Sequence, residues 1–434
     1  MEDSKRYIVA IEIASSRITG IAAALDSDNE ANEICHYEEV IDGPVIYGEI
    51  KNVEAVYAKV NAILQKIQSH KSIVPRKISG VYVGINARSL HSTTVTIEKD
   101  INEVVPINEK LMEQIEHESC AKINTENDKI LVTKRRLCEI DGKETSDPVG
   151  SLGSHISVTT TIVTCKKKIC NSIEMVFNRF NPKVNIMGYI PTQLALAKMS
   201  DNIVLTSDER RLGCMLVDFG SDTTAVSIYK NDKLIYLNTL PMGSHNITRD
   251  LTTLNILPEN AEKYKKTYGI MELEDVTKTE IMPGVTSTDV VNYIRARACE
   301  IIENIRYQLT IAEITADELP GGIITVGRGT KMKGFNEMLG QTSKMSVRRG
   351  GWTNKEEYND RLSSLAILDM ASNSILPDES CMTLPEMPAN DIEEEPEKPK
   401  ETKPKKPKGK GLWGRFKDKI SSGIGTALGE DEDI

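Results

Sequence analysis

No window of this sequence reaches the roughly 18 consecutive apolar residues that a bilayer-spanning helix needs, so a transmembrane protein is not expected. The N-terminus lacks a secretory layout: MEDSKRYIVA passes from mixed charge straight into a strand-like run. Cysteine never occurs as Cys-x-x-Cys. The eight thiols (Cys35, Cys120, Cys138, Cys165, Cys170, Cys214, Cys299, Cys381) are scattered, which points to reduced side chains rather than a disulfide frame or zinc site. A positive excess is missing too. Lys and Arg total 54 against 64 Asp and Glu, a net charge of -10, which argues against a nucleic-acid-binding protein. A Walker A loop is missing as well. What is there is 434 residues, 39% apolar and 27% charged. That is enough for more than one domain and typical of a soluble, folded, cytosol-like chain.

Composition changes sharply near Pro377. Residues from about Asp378 to Lys410 are rich in Pro, Glu and Lys. They bury too little apolar surface to offset chain entropy, so a disordered, extended linker is expected over 376–410. Before it, periodicity persists from Lys5 to Ile375. Two strand-like runs, RYIVAIEIA and ITGIAAAL, flank the polar turn Ser15-Ser16-Arg17. Val53, Val56, Val60, Ile63, Leu64 and Ile67 mark a helix over Asn52–Ser69. A strand at ISGVYVGI, β-branched alternation at Ser92–Ile97, a helix over Leu111–Lys122, two long strands and a helix over Lys168–Phe180 follow. A second strand–turn–strand then appears at GCMLVDFG and TTAVSIYKN, about two hundred residues after the first. KLIYLNTLPMG reads as a third strand. Helices are expected over Thr288–Leu309, from Met332 to Leu339, and over Leu362–Ser372.

The two turns carry the chemistry. Hairpin tips of small residues expose N–H groups that can cradle phosphate oxygens. Glu12 precedes Ser15, Ser16 and Arg17; Asp218 precedes Gly220, Ser221, Asp222, Thr223 and Thr224. An acid at the end of each first strand could hold Mg²⁺ through water. Either turn alone could equally be an ordinary hairpin. A third turn, Gly327-Arg328-Gly329, ends a strand and is expected to bring backbone and a helix N-terminus to a ligand.

The order of these turns resembles the phosphate-1, phosphate-2 and adenosine motifs of the actin and sugar-kinase superfamily. Within it, the chain is similar to the FtsA family of actin-like bacterial division proteins. VAIEIASSRITGIAA, DERRLGCMLVDFGSDTTAVSIYKNDKL and GGIITVGRGTKMKGFNEML carry the three motifs. ISGVYVGINARSLHS and SDPVGSLGSHISVTTTIVTC resemble the two ends of that family's inserted subdomain. The resemblance implies an α/β, actin-like two-lobed ATPase fold. Lobe 1 would comprise 1–79, 166–210 and 362–375. The inserted subdomain would cover 80–165. Lobe 2 would cover 211–361, with a smaller subdomain near 244–312. It implies ATP and Mg²⁺ between the lobes, filament self-assembly, FtsZ as partner, and late division proteins meeting the inserted subdomain. Arg297 and Glu300 match the family's FtsZ-contact helix, although solvated ion-paired charges at helical spacing fit them equally well. Ala14, Ser221, Asp222 and Arg328 stand where the family usually has glycine. Each adds a side chain at the nucleotide, so at most a weak ATPase is expected. Gln193 fits a polar helix start better than a catalytic residue.

The C-terminal end reads without any family. On a helix over 411–429, Leu412, Trp413, Phe416, Ile420, Ile424, Ala427 and Leu428 share one arc. Arg415, Asp418 and Lys419 lie opposite, with Lys417 at the edge. Such a helix lies in a membrane interface, its bases drawn to anionic lipid. Docking into a protein groove is the alternative. From Lys398 to Ile420 the charge is +8, so the rest of the chain carries -18. The expectation is a peripheral protein on the cytoplasmic face of the cell membrane, at the division site. A soluble phosphotransferase of the same superfold, or another actin-like adaptor such as the pilus-assembly type, is the rival.

Overall fold

A computed structural model describes residues 5–272 and 278–385. The basic stretch and amphipathic end, with Leu412, Trp413, Arg415, Phe416, Lys417, Lys419, Ile420 and Ile424, lie outside the described residues.

β1 (Arg6–Ile13) is apolar along almost its whole length and buried on both faces, as a central strand must be. β2 (Arg17–Leu25) pairs antiparallel with it across the Ala14–Ser16 turn, and β3 (Ala31–Val40) pairs with β2. A small hairpin, β4 (Val45–Ile46) and β5 (Glu49–Ile50), leads into α1 (Val53–Gln68). Asn52 caps α1 by accepting from the Ala55 N–H at 3.0 Å. The helix buries the predicted apolar stripe against β2 and β3. Gly20 makes this approach possible, since a Cβ there would lie 2.4 Å from Ile63. β6 (Lys77–Ile78) precedes β7 (Gly80–Ile85), which runs parallel to β1.

β8 (His91–Pro106), α2 (Glu109–Ala121), β9 (Asp128–Ile140), β10 (Lys143–Glu144) and β11 (Leu152–Lys166) form the inserted unit. Its sheet has the order β10-β9-β11-β8 and its own core around Ile97, Ile115, Ile156 and Val158. The chain returns through α3 (Lys167–Phe177), β12 (Asn185–Pro191) and α4 (Thr192–Lys198), completing a sheet ordered β12-β7-β1-β2-β3.

After α5 (Ser207–Leu212) the pattern repeats. β13 (Cys214–Phe219), β14 (Thr224–Lys230) and β15 (Lys233–Leu240) form a meander. Helices α6 (Ser244–Thr252) and α7 (Pro258–Tyr268), the hairpin β16 (Glu280–Met282) and β17 (Val285–Thr286), and the long α8 (Ser287–Ile311) follow. β18 (Ile323–Val326) then lies parallel to β13, and after α9 (Phe335–Ser343) comes β19 (Val347–Arg349), parallel to β18. The order β15-β14-β13-β18-β19 is that of the first sheet read from its other edge. The internal repeat therefore extends from two hairpins to two whole sheets. α10 (Glu356–Asn359) and α11 (Leu362–Ser372) bring the chain back onto β1 and α4. All eight cysteines are free thiols, most of them buried.

Three expectations need correction. β7 belongs to the first lobe's sheet, so the inserted unit starts after Ile85 rather than at residue 80. Residues 376–385 are not linker: Cys381 and Met382 are buried, and β20 (Met382–Thr383) pairs with β6. α9 begins at Phe335, not Met332, because Gly334 at φ 81° breaks the chain direction just before it.

Candidate functional site

The two hairpin tips and the third turn come together between the lobes. In the first tip the Ala14 N–H donates to the Arg17 carbonyl at 2.9 Å; in the second, Gly220 N–H donates to the Thr223 carbonyl at 2.9 Å. Thr224 anchors the second tip through its hydroxyl to the Met242 carbonyl, 2.8 Å away. The third turn requires both of its glycines. Gly327 has φ 92°, and a Cβ there would lie 2.5 Å from the Phe219 carbonyl oxygen. A Cβ on Gly329 would lie 2.5 Å from the Phe219 ring. The expected helix N-terminus does not follow. Arg328–Lys331 form a single tight 3-10 turn instead.

Glu12 and Asp218 end the two central strands and are both buried. Burial pushes the Glu12 carboxyl up, against the opposing charge of Arg17 and a hydrogen bond from Ser364. Burial, reinforced by Glu12, pushes Asp218 to about 7, with Arg17 and Asn86 pulling the other way. Asn86 Nδ2 donates to Asp218 Oδ2 at 3.3 Å, while its own Oδ1 is buried with no protein partner. Two carboxylates and an orphaned amide oxygen are the hard donors that Mg²⁺ prefers, so the residues fit that ion. Among the described residues no group of three His, Cys, Asp or Glu ligands exists. These carboxylates would therefore hold a metal together with water and phosphate oxygens.

Asp222 replaces a glycine of the second tip, yet its charge is satisfied internally. Oδ2 accepts from the Tyr47 N–H at 3.2 Å, and Oδ1 lies 3.2 Å from His245 Nδ1. Burial opposes ionisation, but His245, the Tyr47 N–H and Ser15 outweigh it and hold the carboxyl below its usual range. His245 is raised in turn, chiefly by its bond to Asp222. Arg17 donates to the Asp360 carbonyl at 2.5 Å and pairs with Glu38 at 3.4 Å. Arg328 turns away from the cleft floor toward the same Glu38 and Asp360, both at 3.6 Å. Ser15, Ser16, Ser221 and Thr223 sit at the tips as expected.

Gln193 is fully buried at the start of α4. Its Nε2 donates to the Leu216 carbonyl at 3.1 Å and to Ser227 Oγ at 3.0 Å, tying the first lobe to the second lobe's sheet. Asn86, Tyr47, His245 and Ser364 were missed by sequence reasoning. Each lies outside the three turns and reaches the site only by folding. On α8, Arg297 forks onto Asp250 (2.6 and 3.1 Å) and also pairs with Glu300. Arg297 thus links α8 to α6, and Glu300 remains half exposed.

The family profile described as "Cell division protein FtsA" matches residues 215–366, which hold the second tip, α8 and the third turn. The chain is a relative of the FtsA proteins. It is 25% identical over 354 residues to the cell division protein FtsA of Porphyromonas gingivalis, covering 78% of this chain and 72% of that one. With FtsA of Neisseria meningitidis the identity is 26% over 381 residues, covering 83% and 88%. Among solved structures, the PilM-PilN type IV pilus biogenesis complex superposes with a TM-score of 0.58 at 13% identity, over 84% of this chain and 98% of that one. That likeness speaks to the fold, which is actin-like and two-lobed. The similarity to FtsA spans both lobes and distinguishes the chain within that fold.

Proposed function

We propose that this chain is a cell-division protein that anchors FtsZ filaments to the cytoplasmic membrane and recruits later division proteins. The observation that carries this reading is similarity to FtsA proteins along about four fifths of the chain, joined to a cleft in which the three superfamily turns converge. No helix among the described residues is long and apolar enough to cross a membrane. Attachment is therefore assigned to the amphipathic segment 411–429, through Leu412, Trp413, Phe416, Ile420 and Ile424, with Arg415, Lys417 and Lys419 meeting anionic lipid.

In the cleft, the backbone of Ser15, Ser16 and Gly220–Thr224 would hold phosphates, and Gly327–Gly329 the nucleoside. Glu12, Asp218 and Asn86 would hold Mg²⁺. That ion would supply charge neutralisation for the phosphates. Nucleotide would act mainly by bridging the lobes and favouring self-assembly, with turnover slow. On a filament, many weak membrane helices add up as a multivalent anchor. FtsZ would dock on the second lobe near α8, where Glu300 and the exposed Tyr293 and Tyr307 lie. Late division proteins would meet the inserted unit.

Co-sedimentation with anionic vesicles, with and without FtsZ, tests the bridge. The full chain is expected to pellet and to carry FtsZ with it, and Trp413→Glu to abolish both. Retention of the variant on vesicles refutes the tail assignment. Rapid phosphate release, lost in Asp218→Ala, would favour a true ATPase.

A further inference from the structure

β1 and β7 are parallel, with Ala10 beside Tyr82. Their C-terminal ends therefore face the nucleotide cleft and their N-terminal ends form the opposite end of the first lobe. The chain leaves the folded core at that opposite end, because Thr383 of β20 pairs with Lys77 of β6. An open recess of about 470 Å³ lies there, lined by Lys5, Arg6 and Arg76, with Asp378 as its one carboxylate and Leu384 at its rim. Arg6 also donates to the Leu376 carbonyl at 3.3 Å.

Bases in this lobe are commonly neutralised: Lys59 and Lys66 share Glu39, and Lys51 and Lys168 share Glu49. Lys5, Arg6, Lys71 and Lys77 have no carboxylate partner among the described residues. Exposed aliphatic side chains stand among them: Val74 is 55% exposed, and Leu376 and Leu384 are each 46% exposed. Asp378 and Glu379 lie on the strap itself, and the acids of the β2–β3 turn, Asp26, Asp28 and Glu30, sit on the other side of β1 from β7. Exposed lysines without a carboxylate partner, interleaved with exposed aliphatics, suit an anionic lipid surface, where phosphates meet the bases and aliphatic groups enter the interface.

We infer that this end of the first lobe is a second membrane contact, which seats the core on anionic lipid with the cleft facing away. It rests on the reading that the C-terminal helix binds membrane. About 25 residues separate Pro385 from Gly411, so a helix in the interface holds the exit point within about 90 Å of the lipid. Within that reach a contact too weak to act alone becomes effectively intramolecular. Screening over about 8 Å means that it forms only when the lobe touches the surface.

The test uses the full chain with phosphatidylglycerol vesicles. Neutralising a base near such a surface costs about fivefold in binding, so Lys5→Gln/Lys77→Gln should bind more than tenfold more weakly while melting like the parent. Both lysines are exposed. Amine acetylation read by mass spectrometry should show Lys5, Lys71 and Lys77 protected by the vesicles and not by inorganic phosphate. Equal protection by free phosphate would make the recess a small-anion site and overturn the lipid contact. If Trp413→Glu abolishes binding while the double variant binds normally and no protection appears, this inference falls and the tail assignment stands. If the parent chain does not bind vesicles at all, both fall.

Discussion

At the residue scale the decisive feature is a pair of buried acids. Asp218 titrates near 7 in the folded chain against an ordinary value near 3.8. Over that interval the folded state keeps a proton that the unfolded state has lost. Stability of the ligand-free chain should therefore fall as pH rises from about 4 to about 7. Asp218→Asn should remove most of that fall, melting higher than the parent at pH 7 and much like it at pH 4. Mg²⁺ with ATP should stabilise the parent and not the variant. Melting curves across this range that coincide for the two proteins would refute the assignment. Glu12 and Asp218 were legible because each ends an apolar strand just before a turn of small residues. Asn86 and Tyr47 were not: they reach Asp218 and Asp222 from 132 and 175 residues away. No local pattern encodes such a contact.

At the element scale the long, periodic segments were read well and the short ones poorly. α1 and α8 follow their apolar spacing closely. β20 has two residues and no periodicity to detect, and the prolines around it resemble the linker that follows. Its contribution is still large. Cys381 N–H donates to the Tyr7 carbonyl at 2.8 Å, and the Cys381 carbonyl accepts from Ser79 N–H at 2.9 Å. Burying Cys381 and Met382 is worth about 3 kcal/mol or more. A chain ended after Pro377 should lose about that much in urea unfolding, whereas one ended after Pro385 should match the full chain. Equal stabilities would show that the strap adds nothing. α6 and α7 were unread because they bury so few residues, Ile247, Thr248 and Leu251 in the one and Ala261 in the other, that no long apolar stripe marks them.

At the scale of the whole molecule, two sheets of one topology face each other across the cleft, joined by Gln193 on one side and by the Asp222–Tyr47 contact on the other. A ligand gripped by both tips should stabilise both lobes together. Mg²⁺–ATP at a hundred times its Kd should add about 2.7 kcal/mol and raise one cooperative melting transition. A shift confined to part of the unfolding would place the nucleotide on one lobe only. The opposed ends of the first lobe, cleft at one and chain exit at the other, set how the molecule would stand on a surface.

Sequence alone determined the apolar strands, the three turns, the charge split between body and tail, and the amphipathic end. These are local properties, carried by spacing within a few residues of one another. Tertiary structure decided what fills the second tip. It showed that the Asp222 charge is answered by His245 and a backbone N–H. It also fixed where the inserted unit begins and that residues to 385 belong to the core. Those outcomes depend on which distant segments pack together, and a carboxylate's partner or a strand's neighbour exists only once they have.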